Sequence, residues 1–458
     1  MRIAVVVTRD GLDGLERVQR ASASGAEIVV VAPPALQPRF AGHEVRWISG
    51  APHRIDPSTP HIVDPICAPL PTLLPSAAAR AALGELHRDR PLDEVRFSAS
   101  DAAGWLSGLG SRHAGELPGA RLVVELAAGD EALAEPLRPG DPVESRMLKD
   151  AARAALEDAD AAEGDGDAAR RLEAAGWALG SPRLAPAWER GQARISIVIA
   201  HRDLPAYLPA TLASARAQTV PCEIVLVDDG SSAAGLAVVD AEARRDPSLR
   251  VIRQANGGPG KARNVGARAA TGDLILFLDG DDLLRPACAE QLAEALRRRP
   301  DRHLAVPVSR LFDDETGQTV RYYHPLDQSI ASLMFICRAG GSCAMHRRAA
   351  FLDVQFTEDR EVHTEDWDLW FRYIERGFDR RAVVPSVLFE YRQRKQSRLR
   401  SISAIEMVYE LGQRFALHPS LLAGHAAEIR AFMTALKPML LGQLTAFPPE
   451  IMSAVLEC

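Results

Sequence analysis

The sequence predicts an α/β protein built as two successive α/β units with a helical tail. Three observations carry that prediction. Apolar runs (IAVVV from Ile3, EIVVVA from Glu27, EVRFS from Glu94, RLVVEL from Arg121) alternate with Ala-rich stretches over residues 1–190. The alternation restarts at ISIVIA (Ile195 to Ala200), after a boundary rich in Pro and Gly, GSPRLAPAWERGQ. Two later runs, IVLV and LILFL, end directly in clustered acids, VDDGS (Val227 to Ser231) and LDGDD (Leu278 to Asp282). Strands alternating with helices build parallel sheets, and an unbroken apolar run bounded by turn residues reads as a strand buried on both faces. With 458 residues and 47% apolar composition, the chain can bury two sizeable cores.

In the first unit, residues 1–190, a dinucleotide site would need GxGxxG after the first strand, and RDGLDG (Arg9 to Gly14) does not supply it. The acidic EDADAAEGDGD (Glu157 to Asp167) lacks β-branched residues and reads as a helix end running into a solvated loop. The second unit, residues 193–400, opens with the strand at Ile195. A helix over Leu208 to Gln218, the strand at Ile224, a helix over Leu236 to Arg245 and the strand at Val251 follow. A helix over Lys261 to Ala270 then leads into the strand at Leu274. Residues 401–458 read as helical, and Phe432, Met433, Leu436, Met439 and Leu440 form a stripe that leaves the oligomeric state open.

Composition narrows the function classes. No run of eighteen apolar residues occurs, and MRIAVVVTRDG has no signal-peptide core, so a cytoplasmic protein is expected. Six scattered cysteines show neither CxxC pairs nor zinc spacing and read as free thiols. A net charge of −7 and the lack of a basic-aromatic module argue against nucleic acid. One stretch is locally basic: Arg380, Arg381, Arg392, Arg394, Lys395, Arg398 and Arg400 stand against a single acid, Glu390. Peripheral contact with the inner face of a membrane, through that stretch or the tail, stays open.

The chemistry lies where the strands end. Ligands of parallel sheets bind at the carboxyl ends of the strands. Several acids converging there repel one another and need a cation, a hydrogen-bond donor or a proton. A divalent metal holding a diphosphate meets that need. NGGPGKARNVG (Asn256 to Gly266) is not a Walker A loop, because Ala255 and Ala262 occupy two required positions. Its glycines permit close backbone approach, and Lys261, Arg263 and a helix N-terminus favour an anion. HTEDWDLWFRYIERG (His363 to Gly377) places two acids ahead of Trp367, Trp370, Phe371 and Ile374, whose three- and four-residue spacing marks a helix face that is mostly core.

Taken in order, ISIVIAHRD, VDDGS, NGGPGKARNVG, LDGDD, GGSCAMHRRAAF, HTEDW and YRQRKQS resemble the GT-A catalytic domain of family 2 inverting glycosyltransferases over residues 195 to about 400. The resemblance implies a nucleotide-diphospho-sugar donor site and a hydroxyl acceptor. It places Ala200, His201 and Asp203 at the donor site, where Ala200, Arg202 and Asp203 stand in for the usual Pro, Tyr and Asn. It gives Asp229, with Asp228 beside it, to the base, and Lys261, Arg263 and Asn264 to the neighbourhood of base and diphosphate. It makes Asp279, Gly280 and Asp281 the DXD motif: Asp281 is a direct ligand of Mn²⁺ or Mg²⁺, and Asp279 contacts the ribose or the metal. It makes Asp366 the general base, with Glu365 orienting the acceptor, and offers Trp367 as a ring on which a sugar could stack. The family's YRxHxxS reads YRQRKQS here, so Arg394 stands where a histidine usually does. Arg392, Arg394 and Lys395 would then clamp the diphosphate, hold an anionic acceptor or form a solvated basic face.

The expected donor is a nucleotide-diphosphate sugar, a UDP-sugar first, with guanine and thymine nucleotides also open; the acceptor is a glycan, glycolipid or protein. Residues 1–190 resemble, more loosely, the N-terminal half of a GT-B glycosyltransferase, through GWALGSPRLAP (Gly176 to Pro186) and the helices before it. No donor-binding half follows, which implies an accessory or acceptor-recognition unit. Two rival readings are a non-catalytic protein that keeps the nucleotide-sugar fold and a nucleotidyltransferase.

Overall fold

The computed structural model describes residues 1–7, 12–33, 42–46, 74–100, 110–135, 143–175, 177–180, 191–323, 343–360, 362–378, 380–395 and 412–427, with short stretches and single residues between them. The tail stripe from Phe432 to Leu440, Arg398 and Arg400, most of the predicted 401–458 helical extension and part of GWALGSPRLAP lie outside the described residues.

The first sheet has six strands: β1 (Arg2–Val6), β2 (Glu27–Val31), β3 (Glu44–Arg46), β4 (Glu94–Ser98), β5 (Arg121–Leu126) and β6 (Ala161–Gly164). Every pairing is parallel. Their order, β3-β2-β1-β4-β5-β6, is the doubly wound order of nucleotide-binding folds. Helices α1 (Leu12–Ser22), α2 (Leu74–Asp89), α3 (Val143–Asp158) and α4 (Gly166–Ala174) accompany it. Side chains alternate across the sheet, with Ala4, Val6, Val95 and Phe97 in one buried cluster and Ile3, Val5 and Val30 in another.

The acidic 157–167 segment is not a solvated loop. It holds β6, which pairs with β5 from Val123↔Ala161 to Leu126↔Gly164. The acids define the geometry of that rim: the Asp160 carboxylate accepts from Leu122 N at 2.8 Å, and Asp165 caps α4 by accepting from Asp167 N and Ala168 N, both at 2.9 Å. Glu163 pairs with Arg121 and Arg96. A rim strand pairs on one side only, so small and charged residues serve it without the apolar run that marks an inner strand.

The second sheet comprises β7 (Ile195–His201), β8 (Cys222–Asp228), β9 (Arg250–Arg253), β10 (Leu274–Asp279), β11 (Leu283–Leu284), β12 (Leu304–Asp313), β13 (Thr319–Tyr323), β14 (Met345–Arg347) and β15 (Ala382–Gln393). Its path runs β11-β15-β12-β14-β10-β7-β8-β9, with β13 paired to β12. Strands β10, β7, β8 and β9 are parallel, while β14 lies antiparallel to both β10 and β12. Helices α5 (Leu208–Arg216), α6 (Ala233–Arg245), α7 (Pro259–Ala269), α8 (Cys288–Arg298), α9 (Ile330–Phe335), α10 (Arg348–Val354), α11 (Glu365–Glu375) and α12 (Pro419–Gly424) pack around it. Val198, Val225, Val227, Ile275 and Phe277 face one core, and Ile197, Ile199, Leu226, Leu276 and Leu278 face the other. Two-sided burial accounts for their continuous apolar sequence.

The two sheets share packing. Ala151, Ala152, Ala154 and Ala155 of α3 belong to the same buried cluster as Val198 and Phe277. Glu157 and Asp158, at the end of α3, pair with Arg380 and Arg299, each at 2.6 Å. Among the described residues, no helix is long and apolar enough to cross a membrane, and Cys222, Cys288, Cys337 and Cys343 are free.

Candidate active site

Register brings three strand ends together. His201 pairs with Asp228 across β7 and β8, and Ala200 pairs with Asp279 across β7 and β10. The VDDGS and DGD turns therefore flank the end of β7. Gly280 N donates to Ala200 O at 3.0 Å, and a Cβ at Gly280 would sit 3.0 Å from His201 Nδ1. His201 is buried, and neither ring nitrogen has a hydrogen-bond partner among the described residues. Burial lowers its pKa.

On the β8 side, Asp228 and Asp229 are both buried. Asp229 receives Gly257 N at 2.8 Å, Gly258 N at 2.9 Å and Gln254 Nε2 at 2.7 Å. Its carboxylate thus fixes the glycine loop that enters α7. Gly258 adopts φ 91°, a backbone that L side chains rarely take, immediately before Pro259 at the first helical position. Asp203, at φ 49°, accepts from Ser232 N at 2.7 Å while its own N donates to Ser231 Oγ. That contact lowers the Asp203 pKa and laces the β7 and β8 turns together.

The basic residues of α7 separate into distinct roles. Lys261 is exposed on the first turn. Arg263 is only 4% exposed and bridges the acidic motifs, donating from Nη2 to Asp279 Oδ1 at 2.7 Å and from Nη1 to Glu365 Oε1 at 3.0 Å. Asn264 turns toward the 356–358 segment, giving Nδ2 to Phe356 O and receiving Phe356 N, both at 3.0 Å. The structure therefore places Arg263 and Asn264 as internal ties, and of the three donor-site candidates on α7 only Lys261 faces outward.

The DGD turn is ringed by charge. Arg394 Nε lies 2.6 Å from Asp281 Oδ2. Arg392 donates from its backbone N to Asp282 Oδ1 and from Nε to Asp281 O, each at 2.8 Å, and its Nη1 reaches Asp314 Oδ1 at 3.0 Å. Asp282 does not cap a helix, because β11 follows it and its carboxylate secures β15. Burial, then Asp279, pushes the Asp281 carboxyl up against the pull of Arg394. Burial, then Asp281 and Asp279, holds Asp282 well above the usual carboxylate range. Arg392 and Arg394, at the end of β15, turn onto acids, whereas Lys395 makes an exposed pair with Glu315 at 2.7 Å.

The acids of HTEDW open α11. Asp366 is pushed up to about 6, first by burial and then by Glu365, with Arg263 opposing. Trp367 is committed to the frame: its Nε1 donates to Leu333 O at 2.6 Å, and Arg414 lies over its ring at 3.5 Å. Trp370 and Phe371 are core, as their spacing predicts. The Tyr391 hydroxyl is held above its usual range by burial, then by Asp282, Asp281, Asp279 and Asp366, which puts all four carboxylates in one electrostatic neighbourhood.

Several residues here escape a sequence reading. The Tyr207 hydroxyl donates to Asp314 at 2.7 Å, and its ring lies under both Arg392 and Arg394. Buried His418 joins Asp368 and Glu375, each at 3.0 Å, and so holds the described tail against α11. Tyr391 sits inside the YRQRKQS segment and could have been found there; Asp314 and His418 carry no local signal.

Among the described residues, no group of three or more His, Cys, Asp or Glu side chains is placed to hold a metal. A Mg²⁺-type ion needs fewer, because one or two carboxylates with substrate phosphates and waters suffice. Asp281 and Asp279 fit that requirement, and the Asp279 repulsion that adds to burial in raising Asp281 is what a cation would relieve.

Residues 196–354 match the family model described as "Glycosyl transferase family 2". With the parallel sheet and acidic strand ends already described, this match makes the segment similar to a family 2 glycosyltransferase domain of GT-A type. Similar curated proteins include the uncharacterized glycosyltransferase EpsJ of Bacillus subtilis (strain 168), 38% identical over 101 residues, which are 22% of this chain and 29% of that protein. The putative glycosyltransferase EpsH of the same organism is 37% identical over 99 residues, 21% of this chain and 29% of that protein. The matched stretch spans less than a third of either relative. Among solved structures, S. aureus TarS 1-349 in complex with UDP-GlcNAc shows 20% identity and a TM-score of 0.42, over 56% of this chain and 73% of that one. The mannosyltransferase PcManGT from Pyrobaculum calidifontis, in complex with GDP-Man and Mn²⁺, shows 18% identity and a TM-score of 0.39, over 61% and 83%.

Proposed function

We propose that residues 193–400 are the catalytic domain of an inverting glycosyltransferase that moves a sugar from a nucleotide-diphosphate sugar to an acceptor hydroxyl. The observation that carries this reading is the Arg263 bridge, which joins Asp279 of the DGD turn to Glu365 of the ED motif at 2.7 and 3.0 Å. An inverting transfer needs donor and base on opposite sides of one anomeric carbon, and a bridge between the two motifs supports that proximity. Asp366, poised near 6, takes the acceptor hydroxyl proton as the oxygen attacks; a base of that strength is ionised at neutral pH and still accepts a proton in the transition state. Glu365 orients the acceptor.

On the donor side, Asp228 and Asp229, with the loop that Asp229 holds, read the base, and Lys261 offers the diphosphate a cation. Asp281 and Asp279 would hold Mn²⁺ or Mg²⁺, which when bound supplies charge neutralisation to the departing diphosphate. A UDP-sugar is the first donor to test, and the acceptor belongs to the class of glycans, glycolipids or proteins. Residues 1–190 form an accessory unit in this reading, and residues 401–458 an extension whose described His418 braces α11.

The test follows nucleoside diphosphate release from UDP-, GDP- and dTDP-sugars by the native protein and by Asp366→Asn, with binding monitored by thermal shift. The native protein should turn over one donor, whereas Asp366→Asn should bind it and lose roughly 10²–10⁴-fold in rate. Release of pyrophosphate, or full turnover by Asp366→Asn, would sink the proposal.

A further inference from the structure

Two arginines of the same strand end hold the DGD turn, and they are held differently. Arg392 has fixed partners: the Asp281 carbonyl, Asp282, Asp314, and the rings of Tyr207 and Phe312. Among the described residues Arg394 has one ion-pair partner, Asp281 Oδ2 at 2.6 Å, and it rests over the Tyr207 ring at 5.5 Å. Both members of that pair are largely shielded, with side chains 24% and 14% exposed. A guanidinium and a divalent cation cannot comfortably share one carboxylate, because they repel across a few ångströms of poorly screened space. A diphosphate, however, offers a guanidinium two oxygens in the forked geometry it prefers.

We propose that Arg394 is a displaceable counter-cation: it occupies Asp281 in the free protein and yields that carboxylate to a divalent metal when a diphosphate is present to receive it. The inference rests on the donor-site reading above and adds an order to it. Metal and diphosphate binding become coupled through one side chain, and the free protein takes up metal poorly. Arg392 keeps the turn in place throughout, since its contacts are to the Asp281 carbonyl and to Asp282 and Asp314.

The experiment titrates Mn²⁺ into the native protein and into Arg394→Gln, Arg394→Met and Arg394→Lys, reading free Mn²⁺ by its electron paramagnetic resonance signal. Each titration is run without nucleotide, then with UDP and with GDP. Without nucleotide, Arg394→Gln and Arg394→Met should bind Mn²⁺ at least about fivefold tighter than the native protein, the low end of typical site-to-site coupling. Arg394→Lys keeps the cation and should stay near the native value. Equal or weaker Mn²⁺ binding by Arg394→Gln overturns the exchange, and Arg394→Met, titrated in the same way, decides if the Gln variant does not fold, because a histidine there could itself ligate Mn²⁺. If nucleotide binds and the variants bind Mn²⁺ no tighter, only the exchange falls. If no protein binds Mn²⁺ or nucleotide under any condition, the donor-site reading falls with it.

Discussion

Replacing Arg263 with Met tests whether one guanidinium holds the two acidic motifs together. The side chain is 4% exposed, and its partners Asp279 and Glu365 have side chains only 26% and 12% exposed. Met fills much of the same volume but leaves two carboxylates facing each other without their cation. Breaking a buried pair by removing one partner costs about 3–5 kcal/mol, because the remaining charge is uncompensated. Site chemistry should shift as well. Arg263 is the positive charge that opposes the rise of Asp366, so its loss drives Asp366 further above 6. The base then ionises at higher pH, and the acid limb of the rate profile moves in the alkaline direction. Urea denaturation followed by tryptophan fluorescence measures the first effect, and nucleoside diphosphate release from pH 5 to 9 measures the second. Arg263→Lys keeps a charge but loses the fork, so it should recover part of the limb shift and little of the stability. A loss under about 1 kcal/mol with an unmoved limb would refute the claim that this bridge organises the site.

His418 gives a pH-dependent prediction. Burial pushes its pKa down, but hydrogen bonds to Asp368 and Glu375 outweigh that and leave it raised. A raised histidine adds stability fully below its unfolded value near 6.5 and loses it as pH climbs through the folded value. The melting-temperature gap between native protein and His418→Gln should therefore be widest at about pH 6 and narrow toward pH 9; a gap that is constant across that range contradicts the charged clamp. Gly260→Ala puts a Cβ into the Thr357 carbonyl and 3.3 Å from the Phe356 Cβ. Since backbone must shift to admit it, a loss of about 1–3 kcal/mol and weaker nucleotide binding by calorimetry are expected.

Much of the fold was legible because burial on both faces writes itself as an apolar run, and β7, β8 and β10 each end where polarity changes abruptly. The rim strand β6 was not, because Ala161, Ala162 and Glu163 carry no β-strand signature and take their place from pairing with β5. At the site, residue types located the acids but not the use of the arginines. A basic residue next to a glycine loop suggests an anion, yet Arg263 spends its donors on a glutamate 102 positions away. Asn264 likewise ties to Phe356, and Trp367 lies under Arg414, a contact made by the tail. Local sequence records what a residue can do, and distant partners decide which of those it does.

The charge arrangement bears on how the halves of the site influence each other. Asp279 meets Arg263, Asp281 meets Arg394, and Asp282 receives the Arg392 backbone N–H, so each acid of the DGD turn already has a cationic or N–H partner within the protein. Convergence of acids alone therefore does not require a metal here. What makes one compatible is that the Asp281 partner rests on a ring and one carboxylate, whereas the Asp279 partner is locked to a second acid. A ligand entering on the donor side should accordingly move Arg394 and leave Arg263 in place. The base side is then insulated from donor binding except through the Coulomb fields of Arg263 and Asp279 on Asp366. Arginine is suited to this division, since a lysine at position 263 could not span two carboxylates with a rigid fork. If donor binding nevertheless shifted the Asp366 titration by a full unit in Arg263→Lys and not in the native protein, that insulation would be a property of the fork itself.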